Sequence, residues 1–176
     1  MEFLNVLKRR RSVRFYDSRM VEEEKLRAIF EAANTAPSAY NLQAYEAFII
    51  RGEHHKEALS KAAYDQSYVK QNFILAAPIS LVFCANPSRV RTKYQERGAN
   101  LFSVQDATIA TVYAMLAATD LGLSTVWVGA FDEEKVKDVI GDRSLRPVAI
   151  LPIGYSREEP KPTRRRPIDE LFHEIK

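Results

Sequence analysis

Four arginines and a serine lie within residues 9–14, near the N-terminus of the chain. An arginine presents a planar fork of N–H donors that matches the oxygens of a phosphate group, and a serine hydroxyl adds a short-range donor. Because apolar Val13 separates Ser12 from Arg14, an extended backbone would place those two side chains on the same side. The motif therefore fits a phosphate clamp, although a solvated basic turn has the same composition. Its polar members are Arg9, Arg10, Arg11, Ser12 and Arg14.

A second basic cluster lies near the C-terminus, between Pro162 and Pro167. The sequence there is Pro-Thr-Arg-Arg-Arg-Pro, and the prolines favour an extended backbone. Arg165 and Arg166 could therefore belong to a second phosphate-binding arm, and the alternative is a solvated basic tail. The unusual composition extends over residues 156–176, which we treat as an Arg/Pro-rich C-terminal arm.

Two further segments could contact a flat ligand with polar edges. The loop from Pro37 to Gln43 lies between a predicted helix and a predicted strand, a common position for binding residues. Asn41 and Gln43 carry amides that both donate and accept hydrogen bonds. Farther along, Gly129 would let the backbone approach a ligand closely. An ordinary turn and a buried strand with a turn glycine are the respective alternatives.

The composition predicts a folded domain without a strong bias toward a charged partner. The 176 residues are 46% hydrophobic and 28% charged, and the formal net charge is only +3. We therefore expect one domain spanning residues 1–176, or one protomer of an obligate dimer. There is no secretory signal and no apolar stretch near the roughly 20 residues that span a bilayer, so we expect a cytoplasmic protein without a membrane partner.

The residues that most often bind metals or act as nucleophiles give no such signal here. Cys84 is the single cysteine and lies in an apolar run, so we expect a core residue in a strand rather than a reactive thiol. This usage fits a reducing compartment. The histidines His54, His55 and His173 lie in polar helical stretches, and we predict no metal site.

Helical and strand patterns alternate along the chain and predict an α+β domain with one central sheet. The helix near residues 100–120 has apolar residues on nearly all sides and must be buried on nearly all sides. A homodimer interface would provide that burial, as would a central position within one protomer. Helices are predicted at about residues 2–9, 55–63, 100–120 and 133–140 and between Ser18 and Pro37, and strands at about 44–50, 79–85, 124–128 and 148–153.

Taken together, the motifs resemble the FMN-dependent nitroreductase family over nearly the whole chain. The resemblance implies a nitroreductase-like α+β fold, in which helices flank a central mixed, largely antiparallel sheet. It also implies a homodimer with FMN sites at the interface. The motifs that carry the resemblance are Arg10-x-Ser12-x-Arg14, Pro37-Ser38-Ala39-x-Asn41-x-Gln43, Gly122-Leu123-x-x-x-Trp127-x-Gly129, and Gly154-Tyr155 followed by the basic arm.

The resemblance also assigns roles to residues of the flavin site. The N-terminal motif would contact the phosphate and ribityl chain of FMN, and one of two arm arginines would add phosphate charge. The loop from Pro37 to Gln43 (the amide loop) would come from the other protomer. The third motif would line the ring with the segment from Trp127 to Ala130. The resulting cofactor-binding set is Arg10, Arg11, Ser12, Arg14, Pro37, Ser38, Ala39, Asn41, Gln43, Trp127, Val128, Gly129, Ala130, Arg165 and Arg166.

An NAD(P)H oxidoreductase activity follows from this resemblance. Hydride would pass from NAD(P)H to FMN and then to a nitroaromatic, a quinone or a similar acceptor in a ping-pong mechanism, with no side chain as acid, base or nucleophile. The family resemblance also leaves open dehalogenation, flavin fragmentation, oxidation of peptide heterocycles and a flavin carrier. A small basic nucleic-acid-binding protein is a separate alternative, for which the two arginine clusters would have to share one face.

Two departures from the family pattern concern the substrate side. Well-studied members of the family carry an inserted helical region that covers the flavin, and the matching region here spans at most residues 89–100. The substrate class of those members therefore does not carry over to this chain. Ala44-Tyr45 stands where the family usually has Pro-Trp, and an aromatic residue is kept.

Overall fold

The computed structural model describes residues 2–63 and 72–175, so the outermost positions of the expected domain, 1 and 176, lie outside the described residues. Helices and strands alternate as the sequence predicts. The α-helices are α1 (Phe3–Arg9), α2 (Glu23–Asn34), α3 (Glu53–Ala62), α4 (Phe73–Ala76), α5 (Pro87–Arg97), α6 (Ser103–Asp120) and α7 (Glu133–Ile140). The strands are β1 (Tyr45–Ile50), β2 (Ile79–Ala85), β3 (Ser124–Thr125) and β4 (Arg146–Gly154).

The strands form one sheet in the order β1-β2-β4-β3, and neighbouring strands are antiparallel. Every residue of β2 is buried, as its uninterrupted apolar sequence requires of a strand covered on both faces. The segment that follows α1 adds a parallel bridge between its Ser12 and Thr125 of β3. The sheet is therefore largely antiparallel with a parallel element at the β3 edge.

Helices cover both faces of the sheet, and each face has its own core. On one face, apolar residues of α2 and α6 pack against the odd-numbered positions of β2, such as Leu81 and Phe83. On the other face, α3 and α7 pack against Val82 and Cys84. Burial raises the pKa of the Cys84 thiol to about 12, so this side chain is an unreactive core residue, as expected.

The apolar helix starts later than predicted. A π-helical turn over Gly98–Phe102 precedes α6, which begins at Ser103 rather than Asn100. At its C-terminus, Gly122 has a φ of 76°, and the Leu123 N–H donates to the Ala118 carbonyl at 2.8 Å. This is a Schellman motif, as the position of Gly122 in the sequence predicts.

The helical run from Pro87 to Asp120 contains a window whose length and composition would suffice for a bilayer span, contrary to the sequence expectation. Mean hydropathy in that window is 1.3, and 44% of it is buried inside the protein. Helix α6 packs against α2 and all four strands. A central helix of a folded domain has the same composition, so the window is weak evidence for a membrane.

The third strand is shorter than predicted. The third strand ends at Thr125, because the next residue on β4 in that register is Pro152, which has no N–H for the ladder; pairing resumes only at Val128, which bonds to Ile150. The polar segment before α6, where no helix was predicted, forms α5, which starts at Pro87. The C-terminal arm contains a 3₁₀ turn at Ile168–Glu170.

Candidate functional site

The N-terminal arginine motif and the basic arm line a common cavity of about 640 Å³, which we call the arginine cavity. Helix α1 ends at Arg9, so the motif leaves the helix in an extended conformation, with Val13 buried and both Ser12 and Arg14 exposed. Phe15 is 66% exposed and Tyr16 is buried, so the alternation ends after Arg14. The lining residues are Leu7, Lys8, Arg10, Arg11, Ser12, Arg14, Pro160, Lys161, Pro162, Thr163 and Arg165.

Positive charge is concentrated in this cavity, and none of its described lining residues is acidic. The pKa of Arg10 is lowered first by burial, then by the neighbouring charges of Arg165 and Arg11. Both effects penalise the charged form of the side chain, and guanidinium groups stay protonated nonetheless. An anion bound between Arg10 and Arg165 would remove the repulsion and supply hydrogen-bond acceptors. The geometry therefore suits a phosphate group.

Arg11 and Arg166, which were also named from the sequence, form hydrogen bonds to other groups of the protein. The Arg11 guanidinium donates to the carbonyls of Lys8 and Arg10 at 2.6 and 2.8 Å, so it satisfies the C-terminal end of α1. Arg166 donates to the side chain of Glu170 at 3.3 Å and does not line the cavity. The structure thus brings Arg165, rather than Arg166, next to the N-terminal motif.

A long-range hydrogen bond joins the N-terminal motif to the arm. The Glu158 carboxylate accepts from the backbone N–H groups of Arg14 and Phe15, at 2.5 and 3.2 Å. Glu158 was not among the site residues predicted from the sequence, because its only signal is an acidic residue in a basic segment. Its role is to hold the arm against the extended backbone that follows α1.

The amide loop is held in an unusual backbone conformation. Tyr40, Asn41 and Gln43 have φ values of 54°, 55° and 45°, which are uncommon for residues with side chains. The Gln43 N–H donates to the Ser38 hydroxyl at 2.9 Å, and the Gln43 side-chain amide donates to the side-chain oxygen of Asn41 at 2.7 Å. These bonds fix the loop in one shape, with Asn41 exposed.

The anchor of this loop is Asp106, a residue that the sequence analysis missed. Its carboxylate is 3% exposed and accepts the N–H groups of Ala39 and Ala44 at 2.9 and 3.3 Å. An acidic residue within the otherwise apolar α6 was the available signal, because a buried carboxylate requires hydrogen-bond donors. Helix α5 adds a second anchor, since Arg89 donates to the Leu42 carbonyl at 3.0 Å.

A second cavity, of about 630 Å³, lies between the amide loop and α6, and we call it the loop cavity. Its walls are mostly apolar, which suits the face of an aromatic ring. Among the residues that the structure describes, it has no lining residue in common with the arginine cavity. The loop and the arginine motif therefore line two different cavities of the protomer. The lining residues are Pro37, Ser38, Ala39, Phe102, Val104, Gln105, Asp106, Thr108 and Ile109.

The third motif lies beside the arginine motif in the fold. The Val13 N–H donates to the Thr125 carbonyl at 3.0 Å, which ties the extended N-terminal segment to β3. Of the residues named from the sequence, Trp127 is half-buried against the core between the sheet and helices α2 and α6. Val128 is buried, whereas Gly129 and Ala130 are exposed. None of these four lines either cavity described above.

Comparisons with known proteins agree with one another. The sequence model of the nitroreductase family matches residues 7–155. An NADH dehydrogenase of Thermus thermophilus is 30% identical over 93% of this chain and 91% of its own length. An FMN reductase [NAD(P)H] of Bacillus subtilis is 28% identical over 98% of this chain and 73% of its own. The solved FMN-dependent nitroreductase of Clostridium difficile has a TM-score of 0.80 at 28% identity and covers 97% of each chain.

Proposed function

Because the chain belongs to the nitroreductase family, we propose that it binds FMN and catalyses the NAD(P)H-dependent reduction of a small organic acceptor such as a nitroaromatic or a quinone. The family and the fold agree with the expectations from the sequence. Bound FMN would supply the redox chemistry by passing two electrons from NAD(P)H to the acceptor. The protein's own residues would bind the cofactor, orient it and admit substrate.

The observation that carries the proposal is the pair of arginines in the arginine cavity. Arg10 is partly buried beside Arg165. Burial and, after it, the positive charges of Arg165 and Arg11 lower the pKa of Arg10. A phosphate monoester carries up to two negative charges and would neutralise both groups. Ser12 and Arg14 line the same cavity and add donors at its edge. The residues present therefore fit the phosphate end of FMN.

The amide loop fits the ring end of the same cofactor. Its backbone is fixed by Asp106, and it borders a cavity with mostly apolar walls. Pro37, Ser38 and Ala39 line that cavity, and Asn41 is exposed beside it. Amide groups could donate to and accept from the polar edge of a flavin ring. Residues Trp127–Ala130 would contact the ring from the side of the arginine motif.

The arrangement of these two halves supports a homodimer. Among the described residues the arginine cavity and the loop cavity share no lining residue, and a loop contributed by a second copy of the chain would bring both to one cofactor. Apolar residues of α1 and α6 are exposed in the protomer, including Phe3 at 65%, Val112 at 40% and Tyr113 at 37%. Burial of these side chains in an interface would stabilise such a dimer.

The test is a visible absorption spectrum of the purified protein after incubation with FMN and removal of free cofactor. We expect a retained flavin spectrum that bleaches when NADH or NADPH is added without oxygen, and recovers on addition of a quinone. Retained flavin that does not bleach would remove NAD(P)H as the donor. Loss of all flavin on desalting would contradict the proposal as a whole.

Light scattering on the FMN-loaded protein at micromolar concentration tests the shared site. The expected mass is twice that of the 20.1 kDa chain. A monomer that retains FMN would show that one protomer provides the complete site.

A further inference from the structure

We propose that Lys93 and Arg97 of α5 form a subsite for the 2′-phosphate of NADPH, so that the protein prefers NADPH to NADH. The inference rests on the proposed function, because it adds a specificity-determining pair to the substrate side of that site. The sequence alone left the choice between the two dinucleotides open.

Both cations stand on aromatic rings. The Lys93 ammonium lies 4.1 Å from the centroid of the Tyr40 ring, and the Arg97 guanidinium lies 5.5 Å from the centroid of the Phe102 ring. A cation–π contact holds a positive group in place without neutralising its charge. These side chains are therefore positioned and still able to attract an anion.

One of the two rings lines the loop cavity, and the other belongs to the loop beside it. Phe102 lines that cavity directly, whereas Tyr40 follows Pro37, Ser38 and Ala39, which line it, without being a lining residue itself. Lys93 and Arg97 consequently flank the cavity that we assign to the ring end of the cofactor. A dinucleotide whose nicotinamide approaches this cavity would extend its phosphate groups toward the surrounding surface, where α5 provides positive charge.

Neither cation forms an ion pair within the part of the chain that the structure describes. Arg91, on the same helix, forms an ion pair with Glu96 at 3.1 Å. Within residues 2–63 and 72–175, no carboxylate lies within ion-pair distance of Lys93 or Arg97. A dianionic 2′-phosphate would supply the missing charge, whereas the 2′-hydroxyl of NADH would not.

The backbone between the two cations is constrained rather than regular. Gln95 has a φ of 51°, an uncommon value for a residue with a side chain, and the π-helical turn follows directly. The Tyr94 and Phe102 rings pack edge to face with centroids 5.0 Å apart, which secures the ring beneath Arg97. Strained backbone of this kind is often kept where a side chain must be aimed.

The experiment compares the FMN-loaded wild type with Lys93→Gln, Arg97→Gln and the double variant. Arg91→Gln is the matched control, because it removes the same charge from the same helix. Isothermal titration with NADP⁺ and NAD⁺ measures binding apart from turnover, and kcat/KM for NADPH and NADH is measured with a neutral quinone as acceptor. Lys93→Arg keeps the charge and should restore most of the NADP⁺ affinity.

We expect wild-type protein to bind NADP⁺ more tightly than NAD⁺, and each single variant to weaken NADP⁺ binding by about tenfold or more, as expected for loss of one charge-assisted contact. NAD⁺ binding and the control should change by less than about twofold. Equal affinities in the wild type, or equal losses for both nucleotides, would overturn the subsite.

Failure of this inference is distinguishable from failure of the proposed function. Protein that retains FMN and is reduced equally well by both dinucleotides, in every variant, contradicts the subsite alone. Protein that retains no FMN contradicts the proposed function.

Discussion

The buried carboxylate of Asp106 accepts a hydrogen bond from the Ala39 N–H at 2.9 Å, across 67 positions of the sequence. This contact joins the central helix α6 to the amide loop. It makes the shape of the loop depend on a residue that does not itself need to touch a ligand.

Replacement of Asp106 by asparagine should destabilise the protein. Asn would keep one acceptor and present an NH₂ group to one of the two backbone donors, so we expect a loss of roughly 1.5–3 kcal/mol in the free energy of unfolding. Urea denaturation measures that change, and FMN affinity should fall with it. Asp169→Asn, in the exposed arm, makes the same chemical change and should leave stability within about 0.5 kcal/mol. Equal effects of the two variants would remove Asp106 as the anchor.

The arginines of the cavity should differ in their effect on FMN binding. Arg10→Gln and Arg165→Gln should each weaken FMN binding by about 1.5–3 kcal/mol, or roughly 10- to 100-fold, because each removes a charge-assisted contact to phosphate. Arg166→Gln should have a much smaller effect, since that side chain bonds to Glu170 outside the cavity. Fluorescence titration with FMN measures the three dissociation constants. A larger loss for Arg166→Gln than for Arg165→Gln would reverse the assignment.

Acid should weaken the link between α2 and the end of β4 through Glu22. The hydrogen bond from Tyr155, followed by one from backbone N–H, lowers the pKa of Glu22 from its ordinary value of 4.5 to about 2. A carboxylate with a depressed pKa stabilises the fold above its ordinary pKa, and that contribution is lost as the pH falls toward 2. The Tyr155 hydroxyl lies 2.6 Å from Glu22.

Tyr155→Phe removes this hydroxyl and keeps the ring that Arg19 contacts. We expect the stability difference between wild type and variant to be largest near neutral pH and to shrink between about pH 4.5 and pH 2. Urea denaturation across this range measures it. A difference that is independent of pH would show that the Tyr155 hydroxyl does not act through Glu22.

Gly98→Ala should disturb the junction of α5 and α6. A Cβ atom there would lie 2.7 Å from the Tyr94 Cβ and 2.9 Å from the Val90 carbonyl oxygen, so helix backbone would have to move. The expected cost is about 1–3 kcal/mol, as for overpacking of a core. Gly52→Ala is the control, since its closest contact is the movable His55 ring at 3.2 Å. Thermal unfolding of both variants distinguishes the sites.

Elements with local signals at both ends were predictable from the sequence. Helix α7 matched to the residue, because Asp132 caps its first N–H groups and Gly141 ends it with a φ of 73°. Strand β2 matched as well, bounded by Pro78 and by Asn86-Pro87. The family and fold followed from the order of the motifs.

Features set by distant partners were not predictable in this way. The end of β3 depends on Pro152 in a strand that lies later in the chain. The positive φ at Gln95 and the π-helical turn lie where Tyr94 packs against Phe102 and Gly98 lies close to Val90, and no local sequence signal marks this junction. Likewise, nothing in three consecutive arginines distinguishes Arg165 from Arg166, because only the folded arm decides which side chain reaches Arg10.

The hydrogen bond from the Arg14 N–H to Glu158 spans 144 positions of the chain. Contacts of such long sequence separation carry a large loop-closure entropy and tend to slow folding. The arginine cavity is built from both sides of that contact, so it cannot exist in a partly folded chain that has only its helices and central strands. Acquisition of cofactor would therefore lag behind the formation of secondary structure during refolding, and bound FMN would mark molecules whose folding is complete.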